Sequence, residues 1–261
     1  MMTVLVFLVC FGASIIGAIC GIGGGVIIKP ALDALGIMDV ATISFLSGCT
    51  VLSMTTYNVV RSKLSGDSKI DASTGLPMAL GAAIGGVFGK QLFQIIRDAA
   101  ANPEFVGAVQ AICLIVVTLG TLIYTIYKSR IRTKQIESRL LALVIGLLLG
   151  VMSSFLGIGG GPINLVVLYY FFSMETKTAA ENSLYVIFFS QTASLIASII
   201  TRTVPDFAIG MLALMVCGGI CGGMVGRKIN KKIDSATVDK LFIGLMVVMI
   251  AINIFNVFKF L

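Results

Sequence analysis

The chain has 261 residues, of which 57% are apolar and 12% charged, with no His and no Trp, and its mean hydropathy is +1.04. Its ionisable residues leave eight uncharged runs of at least 18 residues, at 1–28, 40–60, 72–89, 105–127, 140–174, 182–201, 207–226 and 241–258. A bilayer span needs roughly 20 apolar residues in helical form. A soluble globular protein is therefore excluded, because its helices keep a charged stripe away from the core. A transmembrane β-barrel is excluded too, since it alternates over segments of about ten residues. The expected class is an all-α polytopic membrane protein.

In chain order, the first run has no positive residue before its apolar stretch. A cleaved signal peptide normally has one, so the segment is expected to be a retained span. It ends in GIGGGVIIKPAL, Gly21 to Leu32. The next run carries Ser44, Ser47, Thr50 and Ser53 at three-residue spacing, roughly one helix face. These side chains either line a polar path or bond back to their own helix carbonyls. Gly81, Gly85 and Gly89 follow at i,i+4 in the third run, which closes on GGVFGK, Gly85 to Lys90. Such small-residue series let helices approach closely, either within the chain or in a homodimer.

After the fourth run and a basic linker comes the 35-residue run at 140–174. As one helix it would reach about 52 Å against a hydrocarbon core of about 30 Å, so it must break. The break is expected at GIGGGPINLVVL, Gly157 to Leu168. The run at 182–201 follows Glu181 and carries Asn182, Ser183, Ser190, Gln191 and Ser194. The run at 207–226 contains Gly218, Gly222 and Gly226 and ends in GGMVGR, Gly222 to Arg227.

These features repeat. The string GIGGG recurs at an offset of 136, Met38-Asp39 matches Met174-Glu175 at the same offset, and GGVFGK matches GGMVGR at 137. Three islands in one order indicate an internal duplication, with halves at 1–128 and 139–261 and a linker at 129–138.

Basic residues suggest how the halves are oriented. If each glycine break stays at the surface, with eight spans in total, Lys and Arg divide ten against nine between the two sides. If the short segment after each break crosses back, one side holds Arg61, Lys63, Lys69, Lys128, Arg130, Arg132, Lys134, Arg139, Lys177, Arg227, Lys228, Lys231, Lys232 and Lys240. The other keeps Lys90, Arg97, Arg202 and Lys259, with Lys29 inside the membrane. Fourteen against four obeys the positive-inside rule. The expectation is two inverted repeats, each with a glycine-broken helix pair, re-entrant or short-crossing, plus three transmembrane helices. The net charge of +7 then reflects cytoplasmic loops, and no nucleic-acid partner is expected.

Inverted repeats with a broken helix in each half are the plan of secondary transporters, with a substrate site near the midplane. Non-helical backbone at membrane depth is tolerated only where protein, water or a solute meets it. Gly23, Gly24 and Gly25, and Gly159, Gly160 and Gly161, let a ligand approach the backbone closely. The helices starting at Val26 or Pro162 would aim free N–H groups and a positive dipole end at the break. Pro162 suits a first helical position. Two such ends facing each other would cradle an anion.

The doubled GIGGG string, Pro30 after the first of them, the glycine-laced third segments and the length together resemble the TauE/SafE sulfite-exporter family of membrane permeases. The resemblance covers essentially the whole chain. It implies a multi-span transporter of small sulfur-containing anions such as sulfite or sulfonates, coupled to a proton or sodium ion, in the plasma (inner) membrane. The second string departs from the pattern: Val166 stands where a match to Pro30 would fall, and Pro162 directly follows the glycines.

Four side chains complete the expected site. Lys29, read as the one charge near either glycine string, either attracts the anion or snorkels to the surface. Asn164 either bonds a substrate oxygen or packs between helices. Glu181, read as the one acid within reach of a membrane run, either points inward, pairing with Lys29 or carrying a coupling proton, or is an interfacial carboxylate. Asn182, Ser47 and Gln191 would line the path.

Enzyme readings find no support. There is no G-x-x-x-x-G-K-[ST], no His for a nucleophile and base pair, and the loops are too short for a catalytic domain. With six Cys all in apolar runs, neither a metal site nor a disulfide framework is expected, and no cofactor. The competing functions are an anion channel, a transporter of another small carboxylate or oxyanion, and a membrane scaffold whose glycine strings pack without a cavity.

Overall fold

Ten α-helices form the described part of the computed structural model, which covers residues 2–66, 68–70, 72–99 and 103–260. They are α1 (Met2–Cys20), α2 (Gly25–Leu35), α3 (Val40–Leu64), α4 (Ala72–Ala99), α5 (Pro103–Tyr127), α6 (Arg139–Phe155), α7 (Pro162–Phe172), α8 (Thr176–Ile200), α9 (Ile209–Lys232) and α10 (Ser235–Phe260). No strand occurs among the described residues. Eight uncharged runs thus become ten helices, because the two runs containing GIGGG break. Seven helices are long and apolar enough to cross a membrane: α1, α3, α4, α5, α8, α9 and α10. Helix α6 has 17 residues, and α2 and α7 have 11 each. Eleven residues rise about 16 Å, half the hydrocarbon core.

Local chemistry sets several ends. The Asp39 carboxylate caps α3 by accepting the backbone N–H groups of Ala41 and Thr42. Gly36, left-handed at φ 64°, closes α2 and turns its N–H onto the carbonyls of Leu32 and Asp33. Pro162 occupies the first position of α7, where its missing N–H costs nothing.

The two glycine series are consumed inside the chain. A Cβ on Gly81, Gly85 or Gly89 of α4 would lie 2.0–2.3 Å from the carbonyl oxygens of Leu143, Leu147 and Val151 on α6. The equivalent series on α9 packs on α1, with Gly222 against Phe11 and Gly226 against Ile15, each 2.4 Å from a carbonyl oxygen. In both pairs the numbers rise together, so the helices run parallel. Each half thus lends its fourth helix to the first helix of the other. Other pairings obey the same exchange: α3 with α9 and α8 with α4, α2 with α10 and α7 with α5.

Corresponding helices of the two halves run antiparallel. On α5 and α10, Gly107 lies against Phe260 while Lys128, just beyond α5, pairs with Asp239. On α3 and α8, Gly48 lies beside Gln191 while Ser62 donates to Glu181. Large apolar side chains, among them Leu8, Val116, Ile123, Leu148, Val247 and Phe255, are exposed on the outer wall, as lipid requires.

Candidate functional site

Both GIGGG strings lie buried at the heart of the bundle. Each follows a helix whose last carbonyls lose their i+4 partners, and side chains from elsewhere replace them. The Asn230 amide donates to the Ile19 carbonyl at 2.6 Å, and the Gln110 amide to the Phe155 carbonyl at 2.6 Å. Ile19 and Phe155 are equivalent positions, 136 apart.

At the strings the chain doubles back. Gly24 stacks on Ser14 of α1, and a Cβ on Gly17 would lie 2.6 Å from the Gly24 nitrogen. Gly23 and Gly159 hold positive φ angles of 72° and 66°, which L side chains rarely adopt. The strings also meet each other: a Cβ on Gly25 would lie 2.1 Å from the Ile158 carbonyl oxygen, and one on Gly23 would lie 3.5 Å from that of Gly159. Val51 of α3 and Ile187 of α8, another pair 136 apart, fill the remaining space. Gly160 and Gly161 complete the second string, with Gly160 against Ile187. In this conformation nothing the size of an anion fits between the strings, so the expected cradle is closed at its centre.

The open space lies on either side of that seam. On the basic face a cavity of about 400 Å³ is lined by Ala18, Asn58, Val59, Lys69, Lys177, Ala180, Glu181, Leu184, Arg227, Asn230 and Lys231. Its cations outnumber its one acid, so the field within it favours anions. Toward the opposite face a cavity of about 30 Å³ is lined by residues that include Ser44, Gly48, Lys90, Phe93, Ser154, Gly157, Gln191 and Ser194. Residue by residue these are equivalents: Ala18 and Ser154, Asn58 and Ser194, Ala180 and Ser44, Leu184 and Gly48, Arg227 and Lys90, Asn230 and Phe93. The two cavities thus draw on positions matched in sequence but different in side chain, and one is wide while the other is nearly shut. A further hollow of about 720 Å³ lies apart from this axis, lined by Asp33, Asp39, Arg97 and Lys259 among others.

Several buried hydroxyls on α1, α3, α6 and α8 have no hydrogen-bond partner among the described residues: Ser14, Ser44, Ser47, Ser154, Ser183 and Ser190. Buried polar groups are nearly always satisfied, so these hydroxyls are available to bond water or a solute. Of the three-residue series on α3, Thr50 and Ser53 bond back to the carbonyls of Leu46 and Cys49, whereas Ser44 and Ser47 do not. The back-bonding reading of that series therefore holds for Thr50 and Ser53.

Lys29 departs from its expected setting. It is 1% exposed on α2, and its ammonium donates to the Asp33 carboxylate at 2.6 Å. Asp33 is one helical turn on, hence on the same face, and is 5% exposed. Lys29 is therefore neither snorkelling nor the one charge near a glycine string: an ammonium at this depth needs a partner, and Asp33 supplies it. The hydrocarbon stem of Lys29 reaches Gly157 of the second string.

Glu181 does not pair with Lys29. It accepts from Ser62 Oγ and from the Lys69 backbone N–H at the wide cavity. The Asn182 amide donates to the carbonyls of Lys69 and Thr178, holding the start of α8 to the chain after α3. Gln191 lies beside Gly159 of the seam and lines the narrow cavity, and Ser47 is fully buried on α3. Asn164 is buried on the first turn of α7. Of the residues that the sequence reading missed, Asp33 was detectable from its i+4 spacing to Lys29, and Lys90 and Arg227 from their matched places in GGVFGK and GGMVGR.

The profile of the sulfite exporter TauE/SafE family matches residues 6–252. The chain belongs to the TauE/SafE sulfite exporter family. No curated protein and no solved structure gives a significant match to it. Membership of TauE/SafE, together with seven apolar helices of spanning length, makes the chain a multi-pass membrane protein of a transport family. The TauE/SafE match takes in both glycine strings and both cavities.

Proposed function

We propose that the chain is a secondary transporter of small sulfur-containing anions such as sulfite or organosulfonates, built as two inverted repeats and working by alternating access. The observation that carries the reading is the pair of cavities at matched positions, about 400 Å³ on one side of the glycine seam and about 30 Å³ on the other. A channel would need both open at once. A scaffold would need neither, although the strings themselves pack without a gap. The antiparallel course of α3 on α8 and of α5 on α10 supports inversion, as does the exchange of partners between halves. The wide cavity shares its face with fourteen of the basic residues, which the positive-inside rule assigns to the cytoplasm.

On this reading the anion enters past Lys69, Lys177 and Arg227, meets the unpartnered hydroxyls along α3 and α8, and passes as the seam at Gly23–Gly25 and Gly159–Gly161 parts. Parting would free the N–H groups at the starts of α2 and α7, with Asn164 beside them, to face the anion. Ser47 and Gln191 lie along the path, and Glu181 with Asn182 at its cytoplasmic mouth. The Lys29/Asp33 pair holds α2 together and is the intramembrane ion pair available for coupling to a proton or sodium ion.

Purified protein in liposomes is expected to accumulate radiolabelled sulfite against its gradient when a proton or sodium gradient is imposed. Flux that only ever runs downhill would support a channel, and absence of flux for every small oxyanion and carboxylate tried would overturn the transport reading.

A further inference from the structure

We propose that Lys90 and Arg227 are paired anion contacts, one for each side of the membrane, and that the narrow cavity around Lys90 is a second oxyanion site, shut in this conformation. The inference rests on the transport reading and adds to it a residue pair and a ligand chemistry.

Lys90 closes the uncharged stretch of α4, more than two turns before the helix ends, and is only 9% exposed. An ammonium there is costly unless something compensates it. Lys29, in a comparable setting, has Asp33. Among the described residues no carboxylate comes within ion-pair distance of Lys90, and the Phe93 ring lies 5.5 Å from its ammonium. An ammonium offers three hydrogen-bond donors and no acceptor. The other polar groups lining this cavity include the hydroxyls of Ser44 and Ser154, both buried and without partners. A cation with two free hydroxyls is a donor set for a small oxyanion, whose oxygens would gain charge-assisted bonds. At about 30 Å³ the space admits about two waters and not the anion, so binding there requires the cavity to open.

The second half repeats the cation in an open cavity, without the hydroxyls: Ala180 and Ala18 stand where Ser44 and Ser154 do. Arg227 occupies the equivalent position on α9 and donates to the Asn58 carbonyl at 3.2 Å, lining the wide cavity. A cation at the same place in each half, one in a shut cavity and one in an open cavity, is what a carrier needs to take its anion at either face.

The test is sulfite uptake into oriented proteoliposomes, with KM measured separately for each face, beside stabilisation of the detergent-solubilised protein by sulfite. Lys90→Gln is expected to raise KM tenfold or more for sulfite offered at the Lys90 face and to leave KM at the Arg227 face unchanged. Arg227→Gln is expected to do the reverse, and Lys90→Arg to retain most of the affinity. Melting temperatures without ligand separate folding from binding. If Lys90→Gln leaves both KM values unchanged, or raises both equally, the site assignment fails while the transport reading stands. If wild-type protein moves no sulfite yet is stabilised by it in a Lys90-dependent way, the transport reading fails and the site stands. If sulfite is neither moved nor bound, both fail.

Discussion

Gly25→Ala is expected to abolish anion uptake in liposomes and to lower the melting temperature of the purified protein, whereas Gly12→Ala leaves uptake unchanged. A Cβ on Gly25 would stand 2.1 Å from the Ile158 carbonyl oxygen and 2.8 Å from a Val51 methyl. The obstacle is backbone of the other glycine string, and no rotamer change relieves it. Overpacking of a tight interior typically costs about 1–3 kcal/mol, and here the adjustment must separate the two strings at the seam itself. Gly12 has nothing within 4 Å of the equivalent position, and in a helix Gly to Ala is otherwise favourable by up to about 1 kcal/mol. Gly25→Ala protein that melts and transports like wild type would show that the strings are not held in contact.

The Lys29/Asp33 pair gives the second large effect. Asp33→Ala leaves an ammonium buried without its partner, and breaking one side of a buried pair costs about 3–5 kcal/mol. Lys29→Ala is expected to destabilise less, because the Lys259 ammonium, which donates to the Asp33 carbonyl at 2.8 Å, remains beside Asp33. The double replacement Lys29→Met with Asp33→Leu should recover most of the lost stability, because apolar groups of similar volume often replace a buried pair at little cost. Thermal unfolding of the three variants measures this directly. If Asp33→Ala melts with wild type, the ion pair does not hold α2 in place. If the double variant regains stability and still transports at the normal rate, the pair is structural and has no part in coupling.

Much of the helix plan was legible because charge is so costly in lipid that the chain keeps most of it at segment ends. The 35-residue run had to break, and GIGGG showed where. What α2 and α7 do after the breaks was less legible: their 11 residues can cover half the core, but whether a short apolar segment crosses or returns depends on what it packs on. Gly81, Gly85 and Gly89 announced a close helix contact without naming its partner. Only the exchange between halves selects α6. Lys29 was weighed as a lone charge although Asp33 stood one turn away, and that part of its reading is corrected by the ion pair. Val51 and Ile187 carry no sequence signal, being ordinary apolar residues in apolar helices, and they become visible only when two strings 136 residues apart close on them. The cavities were hidden for the same reason: Lys90 and Arg227 are matched in sequence, but which cavity is wide is a property of one conformation.

The central claim, that the two cavities open alternately, is tested most directly by the accessibility of single cysteines at equivalent positions, Val59→Cys in the wide cavity and Leu195→Cys in the narrow one, after replacement of the six native cysteines. A membrane-impermeant thiol reagent is expected to modify Val59→Cys rapidly from the basic face and Leu195→Cys slowly from the other in resting protein. During sulfite turnover the first rate should fall as the second rises. Two rates that stay fixed, or that rise together, would contradict alternating access.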